Sequence, residues 1–456
     1  MASSPGQDSA GQPRTETPGT GARAFLRAQA REQARIAAIR PMAPPRLLLR
    51  VYRWFGATFV RELAWQLSLL TAAQLAALIS LGGLRSRAGK IAAGALGLIL
   101  GAQLRYAIEA HRSAAGIEEA LEGLPGDEGR RMPLSHIAVP PLTFVAPDVV
   151  RERGRVFWTD PGSGEDGRDL KLRLDIYRAK PGTDGDLPAP RPAVIQVHGG
   201  GWVSGSRYEQ GVPLLNHLAS RGWVGFNIDY RLSPQATWPD HIVDVKRAIA
   251  WVRENAAELG IDPELIAITG GSAGGHLTAL AGLTANDPAF QPGFEEADTS
   301  VIAAVPFYGV YDLTNAGGHY YPQLQEWAFE QIMFKAPLAG NEELYRAASP
   351  RWRVNEQAPP FMVIHGERDT LVPVGDARDF VAELRRVSGS DVRYVELPGA
   401  EHAFDLWPSV RTARVADAIG RFLAAVLERR GDSTSTTDNA DPGTEAAATA
   451  AAVSDD

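Results

Sequence analysis

The sequence of 456 residues contains no cysteine. Disulfide bonds, thiolate metal sites and cysteine nucleophiles are therefore excluded. Positive charge is also scarce, because 46 lysines and arginines face 54 aspartates and glutamates, for a net charge of −8. This balance, with no basic nucleic-acid-binding motif, argues against nucleic acid as a partner. No His-Glu-x-x-His pattern and no acidic cluster predicts a metal ion, and we expect no cofactor.

The two ends of the chain are poor in large apolar residues. Residues 1–22 are rich in Ser, Gly, Pro and Thr, and residues 431–456 carry six acidic side chains and no basic one. We expect both ends to be disordered, because such compositions bury too little apolar surface to fold. Between them we predict a helical, membrane-associated region over residues 23–115, a linker or cap over 116–155 and an α/β domain over 156–430.

Two uncharged runs dominate the N-terminal region. Residues 63–84 form a run of 22 residues, which as a helix of about 33 Å can cross a bilayer core. Residues 91–104 form a shorter run of 14, in which Gly97 and Gly101 have the spacing that lets membrane helices pack closely. A short basic loop joins the runs, so we predict a helical hydrophobic hairpin in a membrane.

Other interpretations of these runs are open. Gln66, Gln74 and several Ser and Thr residues also fit a buried helix pair that caps the following domain, or an oligomer interface. The ten arginines of residues 1–62, against four acidic residues, favour a cytoplasmic N-terminus, whereas the basic loop opposes its own export. The sequence therefore predicts membrane association but assigns neither a side of the membrane nor an oligomeric state.

From about Val156 onward, strand and helix patterns alternate. Residues 170–179 alternate polar and apolar side chains, as a half-buried strand does. Short apolar runs follow, and they fit strands that are buried on both faces. They occupy residues 193–197, 223–228, 265–269, 301–307, 361–366 and 392–397. Amphipathic helical stretches at 240–260 and 377–389 lie between them. This order predicts an α/β fold with a mostly parallel sheet and helices on both faces.

A glycine-rich turn lies between one of these strands and a helix. The sequence GGSAGG places Gly270, Ser272 and Gly274 in the pattern G-x-S-x-G. This pattern is typical of a nucleophile elbow, a turn so tight that glycines must flank the serine and its hydroxyl stands above the sheet. By itself the motif also fits an ordinary capping serine. A serine nucleophile further needs a base and an orienting carboxylate.

Both partners occur after later strands. Asp369 follows the strand predicted over 361–366, and His402 follows the one predicted over 392–397. The order Ser, Asp, His along the chain is the order expected for α/β-hydrolases. We therefore predict a catalytic triad of Ser272 as nucleophile, Asp369 as orienting acid and His402 as general base.

The sequence HGGGW at residues 198–202 follows an early strand. Acyl transfer builds negative charge on an oxygen, and preorganised backbone N–H groups must bind it. We predict an oxyanion hole in which Gly200 and Gly201 supply two donors and Ala273, the residue after the nucleophile, supplies a third. A phosphate-binding loop is the competing interpretation, but the Gly-Lys-Ser/Thr ending that it needs is missing.

Five motifs fall in a familiar order: HGGGW, DYRLSPQATWPDHIVDV, GGSAGG, HGERDTLVP and PGAEHAFD. Together they resemble the hormone-sensitive-lipase-like carboxylesterases of the α/β-hydrolase superfamily. The resemblance covers about residues 156–430 and implies an α/β-hydrolase catalytic domain with the triad and oxyanion hole named above. It also implies a small-molecule acyl ester or lipid as substrate, and we expect short- to medium-chain acyl groups. One position departs from the family, because Gly271 stands where members often carry an acidic residue or asparagine.

Two other functions are considered. A serine peptidase of related fold is disfavoured because no propeller precedes the α/β domain and no acidic site for a peptide amine is evident. A non-catalytic ligand-binding protein is disfavoured because the full triad is present. We interpret His198, His276 and residues 229–231 as structural. The aromatic stretch at 320–334 fits a core-facing helix or a mobile cap equally well.

Overall fold

The computed structural model describes residues 45–124, 146–164, 167–183, 190–407 and 409–438. The disorder predicted for residues 1–22 lies outside these ranges, as does most of the predicted C-terminal tail. The tail prediction was wrong at its start, because the last helix continues to Asp438. Residues 432–438 contain no proline or glycine that would interrupt it.

In the described part of the chain, eight strands form one sheet. They are β1 (Val149–Asp160), β2 (Leu170–Ala179), β3 (Arg191–Val197), β4 (Val224–Ile228), β5 (Ile261–Gly271), β6 (Ala304–Phe307), β7 (Phe361–Gly366) and β8 (Val392–Leu397). Their order across the sheet is β1-β2-β4-β3-β5-β6-β7-β8. β1 and β2 pair antiparallel with their neighbours, and the pairs from β4 to β8 are parallel. The sheet is therefore mostly parallel, as predicted.

β1 was not predicted as a strand, because it begins inside the proposed linker and lacks an apolar run. Its sequence VVRERGRVFWTD carries three charged residues in its first half, and most of its residues are partly exposed. The strand lies at the sheet edge and pairs only with β2 among the described strands. Edge strands tolerate charged side chains, which also discourage pairing with other chains.

The helices cover both faces of the sheet. They are α1 (Pro45–Glu62), α2 (Ala64–Ser80), α3 (Arg87–Ala120), α4 (Val212–Ala219), α5 (Asp240–Glu254), α6 (Ala256–Leu259), α7 (Ala273–Leu283), α8 (Glu342–Ala348), α9 (Val374–Val387) and α10 (Val410–Asp438), with a π-helix at Leu324–Phe334. One core contains Ile249, Leu280 and Phe380 from α5, α7 and α9. A second contains Leu215 and Phe422 from α4 and α10. This is the predicted arrangement of helices on both faces.

The N-terminal helices form the predicted hairpin, but the lengths of its two helices differ from those of the predicted runs. The first uncharged run becomes α2, which has 17 residues and spans only about 25 Å. The second run lies within α3, which has 34 residues. Within the described ranges α3 is the one helix that is long and apolar enough by itself to cross a membrane, with a mean hydropathy of 1.5 over its best window. The pair α1 and α2 meets that test only jointly and bends by 74°.

The expected close packing at Gly97 and Gly101 is absent within the described chain. A Cβ added to either glycine would meet no heavy atom within 4 Å. The tight approach occurs instead at the start of α3, where a Cβ on Gly89 would overlap the backbone of Gly83. The short turn between α2 and α3 forces this contact.

The far end of α3 is part of the globular domain. Ile117 and Leu121 are buried in the second core with residues of β8 and α10. The predicted linker over 116–155 therefore contains the end of α3 and the start of β1, and its residues 125–145 lie outside the described residues. The outer surface of α1, α2 and α3 differs: of the 18 exposed large apolar side chains in the described chain, 16 lie between residues 49 and 108.

Candidate active site

Ser272 lies at the turn between β5 and α7 with φ 59° and ψ −121°. A positive φ is strained for a residue with a side chain and persists only where the surroundings enforce it. The Ser272 amide donates to the carbonyl of Phe307 on β6 at 3.0 Å. A Cβ on Gly270 would lie 2.6 Å from the carbonyl oxygen of Val197, so glycine is needed for β3 to pass beside the turn. The geometry is that of the predicted elbow.

His402 connects the other two residues of the predicted triad. Its Nε2 lies 2.9 Å from Oγ of Ser272, and its Nδ1 lies 2.6 Å from Oδ2 of Asp369. His402 and Asp369 are buried, whereas Ser272 is half-buried. The structure thus brings the three side chains into one hydrogen-bonded chain. In this arrangement the imidazole can take the serine proton while its other nitrogen donates to the carboxylate.

The carboxylate of Asp369 is held by several further groups. Its Oδ1 accepts from the amides of Leu371 at 2.9 Å and Val372 at 2.7 Å, and Nε2 of His365 lies 3.3 Å from Oδ2. Burial raises the pKa of Asp369, but the charge of His402 and hydrogen bonds from His365 and His402 outweigh it and lower the pKa to about 2. Asp369 is therefore ionised at neutral pH. His365 was not predicted, although it begins the HGERD motif.

The predicted oxyanion donors lie next to the elbow. Gly200 and Gly201 follow β3 with φ of 116° and 61°, values that glycine adopts without strain. A Cβ on Gly199 would lie 2.7 Å from the carbonyl oxygen of Gly271, so the loop packs on the residue before Ser272. Ala273 is the first residue of α7 and has no acceptor within the helix. Among the described residues, none accepts a hydrogen bond from Gly200, Gly201 or Ala273 amides.

The residues interpreted as structural support this loop. The imidazole Nδ1 of His198 lies 2.7 Å from the carbonyl oxygen of Gly199. Tyr230 stacks on His198 at 4.4 Å between ring centroids and donates to its carbonyl oxygen at 3.1 Å. Asp229 accepts from the guanidinium and, at 3.1 Å, from the amide of Arg207. These contacts fix the backbone that carries Gly200 and Gly201.

His276 and Arg231 also act within the protein interior. His276 accepts from Nε1 of Trp202 at 3.2 Å, and its Nε2 lies 2.8 Å from the carbonyl oxygen of Ala348. Burial lowers the pKa of His276 to about 4, so it is neutral near pH 7. Arg231 pairs with the buried Asp244 at 2.7 Å. Both residues are occupied by structural contacts.

Tyr308 fills the space at the position that departs from the family pattern. A Cβ on Gly271 would lie 2.7 Å from Oη of Tyr308. The hydroxyl donates to Asp405, which lies on the loop of His402. The ring centroids of Tyr308 and His402 are 4.6 Å apart. Tyr308 and Asp405 therefore link the nucleophile turn to the loop of the base, a link that sequence reasoning missed because neither residue belongs to the triad pattern.

The first helix also reaches the site, which was not predicted. Nε1 of Trp54 donates to the carbonyl oxygen of His402 at 2.6 Å, and Oγ1 of Thr58 donates to the same oxygen at 3.3 Å. One turn later, Glu62 forms a buried ion pair with Arg411. The spacing of Trp54, Thr58 and Glu62, four residues apart on one helix face, was the available signal.

The aromatic stretch at 320–334, for which the sequence allowed two interpretations, has a buried inner face. Phe329, Ile332 and Met333 of the π-helix are buried, and Phe329 packs edge-on against Trp202 at 5.9 Å. Tyr321, just before the helix, lies 4.2 Å beneath the guanidinium of Arg50 from α1. In the described chain, no group of three or more His, Asp or Glu side chains is arranged to hold a metal ion.

Comparison with known proteins finds relatives that are named as ester hydrolases. Residues 174–384 match the family described as BD-FAE. The chain is 52% identical over 267 residues to the "Probable carboxylic ester hydrolase LipM" of Mycobacterium tuberculosis, covering 59% of this chain and 61% of that protein. It is 31% identical over 321 residues to the carboxylesterase NlhH of the same organism, covering 63% of this chain and 91% of the relative.

A solved structure shares the fold. It is a truncated form of a carbohydrate esterase from gut microbiota, with 25% identity and a TM-score of 0.50, covering 62% of this chain and 98% of the other. The α/β-hydrolase fold predicted from the sequence is thereby confirmed. The match spans about three fifths of LipM but nearly all of NlhH. The chain belongs to the hormone-sensitive-lipase-like carboxylesterase family of the α/β-hydrolase superfamily.

Proposed function

We propose that this chain is a serine carboxylesterase that hydrolyses short- to medium-chain acyl esters. Oγ of Ser272 attacks the ester carbonyl carbon while Nε2 of His402 accepts the hydroxyl proton. The amides of Gly200, Gly201 and Ala273 bind the oxygen that becomes negative. His402 then gives the proton to the departing alcohol, which leaves an acyl-enzyme. Water, activated by the same base, attacks that ester and releases the acid and the free serine.

The hydrogen-bonded chain from Asp369 through His402 to Ser272 carries this proposal. The low pKa of Asp369 supports its part, because a carboxylate that is ionised at neutral pH can stabilise the imidazolium that forms next to it. The amides in the oxyanion loop support the assignment of an acyl-transfer reaction, since donors without protein acceptors are available for a substrate oxygen. The names of LipM and NlhH point to the same reaction class.

We further propose that α1, α2 and α3 attach the enzyme to a membrane. The length and apolar character of α3 support this, as does the concentration of exposed apolar side chains on residues 49–108. Monomeric soluble proteins rarely expose apolar patches of this extent. Attachment would raise the local concentration of apolar esters dissolved in the bilayer. Lipid esters are therefore within the proposed substrate class.

Fluorophosphonate labelling of the purified full-length protein in detergent tests the mechanism. We expect wild type to be labelled at Ser272, as located by mass spectrometry, and Ser272→Ala to remain unlabelled. A panel of p-nitrophenyl acetate, butyrate, octanoate and palmitate, run beside peptide amides, tests the substrate class. Faster amide than ester cleavage would favour a peptidase. Folded protein that neither labels nor turns over any ester would favour a binding protein.

A further inference from the structure

We propose that α1 positions the general base, through hydrogen bonds from Trp54 and Thr58 to the backbone of His402. The inference rests on the proposed function, because it concerns the base of that mechanism. It gives the N-terminal region a part in the chemical step in addition to its proposed attachment to a membrane.

The two side chains converge on one atom. The indole N–H of Trp54 and the hydroxyl of Thr58 both donate to the carbonyl oxygen of His402, at 2.6 and 3.3 Å. Among the described residues, these are the donors to that oxygen. Thr58 is 1% exposed, and the ring of Trp54 meets the His402 imidazole edge-on at 6.0 Å. The Thr58 contact is therefore buried, the Trp54 contact is partly buried, and both lie close to the imidazole.

The same helix also contacts the chain on both sides of His402. Arg61 donates to the carbonyl oxygen of Gly399 at 3.1 Å. Glu62 accepts from Ser409 at 2.8 Å and pairs with Arg411. Three consecutive helical turns thus hold the segment between β8 and α10. Thr412 of α10 also donates to the carbonyl oxygens of Phe404 and Trp407 in this segment, but α1 supplies the side-chain donors to His402 itself.

Support of the His402 loop by α1 matters because proton transfer depends on a short distance between the donor and acceptor atoms. The serine proton is transferred along a hydrogen bond of 2.9 Å between Oγ of Ser272 and Nε2 of His402, and a displacement of about 1 Å can cost about 100-fold in rate. His402 lies in a loop between regular elements, where backbone hydrogen bonds to neighbouring strands are few. Removing a donor to its carbonyl oxygen should let the imidazole sample positions away from Ser272, while leaving the ester-binding surface intact.

The test uses full-length enzyme and conservative variants. Trp54→Phe keeps the aromatic bulk and removes the N–H, and Thr58→Val keeps the shape and removes the hydroxyl. Matched controls on α2 are Trp65→Phe and Thr71→Val. Each protein is assayed for kcat and KM on p-nitrophenyl butyrate, for melting temperature, and for the rate constant of fluorophosphonate inactivation per titrated active site. Normalising to titrated sites separates a slower base from a smaller folded fraction.

We expect each Trp54 or Thr58 variant to lose about tenfold in kcat and in the inactivation rate constant, the worth of one hydrogen bond. KM should stay within about twofold, because substrate binding is not altered. The controls should match wild type. Equal rate constants per active site in both variants and wild type would overturn the proposal, even if melting temperatures fell. If wild type itself neither labels at Ser272 nor cleaves esters, the proposed function fails instead.

Discussion

The hydroxyl of Tyr308 occupies the volume that a side chain on Gly271 would need. A Cβ at that glycine would lie 2.7 Å from Oη and 2.9 Å from Cε2 of the tyrosine. The tyrosine in turn donates to Asp405 and packs against His402. This chain therefore replaces the acidic or asparagine side chain common before the nucleophile in its family with a tyrosine that directly follows β6.

Gly271→Ala should destabilise the protein by about 1–3 kcal/mol, as overpacking of a tight core does. Tyr308→Phe should relieve part of the overlap, so the double variant should be less destabilised than the two single effects added together. Urea denaturation of all four proteins measures this coupling. Strict additivity would contradict the proposed competition for space. Gly389→Ala serves as control, because a Cβ there meets nothing within 4 Å.

Loss of the triad should be strongly non-additive. Ser272→Ala and His402→Ala should each lower kcat by at least about 10⁴-fold, and the double variant should lose no more than either one, because the residues act as a unit. Ester hydrolysis by folded protein, followed over long reaction times, measures the low kcat of these variants. His111→Ala, which changes an exposed histidine of α3, should keep full activity. Retention of a hundredth of kcat by Ser272→Ala would refute the nucleophile assignment.

Asp376 should make stability depend on pH. It is buried in α9, accepts from the Tyr311 amide at 2.6 Å and from the Tyr320 hydroxyl, and burial raises its pKa to about 6 despite these bonds. Because the folded pKa exceeds the ordinary value of 3.8, the folded state holds the proton more tightly. Stability should therefore fall as pH rises from about 4 through about 6.

Asp376→Asn cannot ionise and should escape this loss. Its stability relative to wild type should rise between pH 4 and pH 8, by an amount that does not exceed about 3 kcal/mol. Denaturation curves collected across that interval provide the check. A difference between the two proteins that stays constant with pH would show that Asp376 does not titrate there.

The ion pair between Glu62 and Arg411 should be costly to break. Both side chains are at most 1% exposed, so Glu62→Gln leaves a buried guanidinium without its carboxylate, at a cost of about 3–5 kcal/mol. Glu62→Leu combined with Arg411→Met should recover most of the loss, because no charge is then buried. Glu118→Gln removes the exposed partner of Arg421 and should change stability by less than about 1 kcal/mol. Thermal denaturation distinguishes these outcomes.

Attachment to a membrane can be tested on α3. Leu98 is 80% exposed within its apolar run, and an arginine at the centre of a spanning helix costs about 2.5–3.5 kcal/mol. Carbonate washing should leave wild type in the membrane pellet and release a larger share of Leu98→Arg. Val150→Arg, at an exposed apolar site on β1, should stay in the pellet. Release of wild type would refute insertion of α3 into the membrane.

Sequence patterns predicted the sheet well because its strands carry their own signal. Residues 170–179 became β2 without a shift, and the apolar runs at 361–366 and 392–397 became β7 and β8. The residues of the predicted triad were also brought together, since Asp369 and His402 follow neighbouring parallel strands and must meet at one sheet edge. At these residues the local sequence pattern and the position in the folded sheet lead to the same prediction.

The contacts that sequence could not predict join segments far apart in the chain. Trp54 and Thr58 look like ordinary members of an amphipathic helix, and nothing local indicates that their partner is His402. Nothing near Tyr308 in the sequence indicates its partner either, because Asp405 lies on another loop. The lengths of α2 and α3 were reversed because a 22-residue uncharged run was broken at Gly82, which adopts φ 79°, whereas the shorter run continued through charged residues.

The bond between Trp54 and His402 joins residues 348 positions apart, which sets the order of events during synthesis. Helices α1 to α3 leave the ribosome early and can reach a membrane while the sheet is still being made. The His402 loop and Arg411 emerge after the eight described strands, so α1 meets these partners only once those strands exist. Under the proposed mechanism, hydrolysis therefore waits for the segment that carries His402. Under the proposed mechanism, the general base gains its full backbone support only when α1 contacts the loop that carries His402.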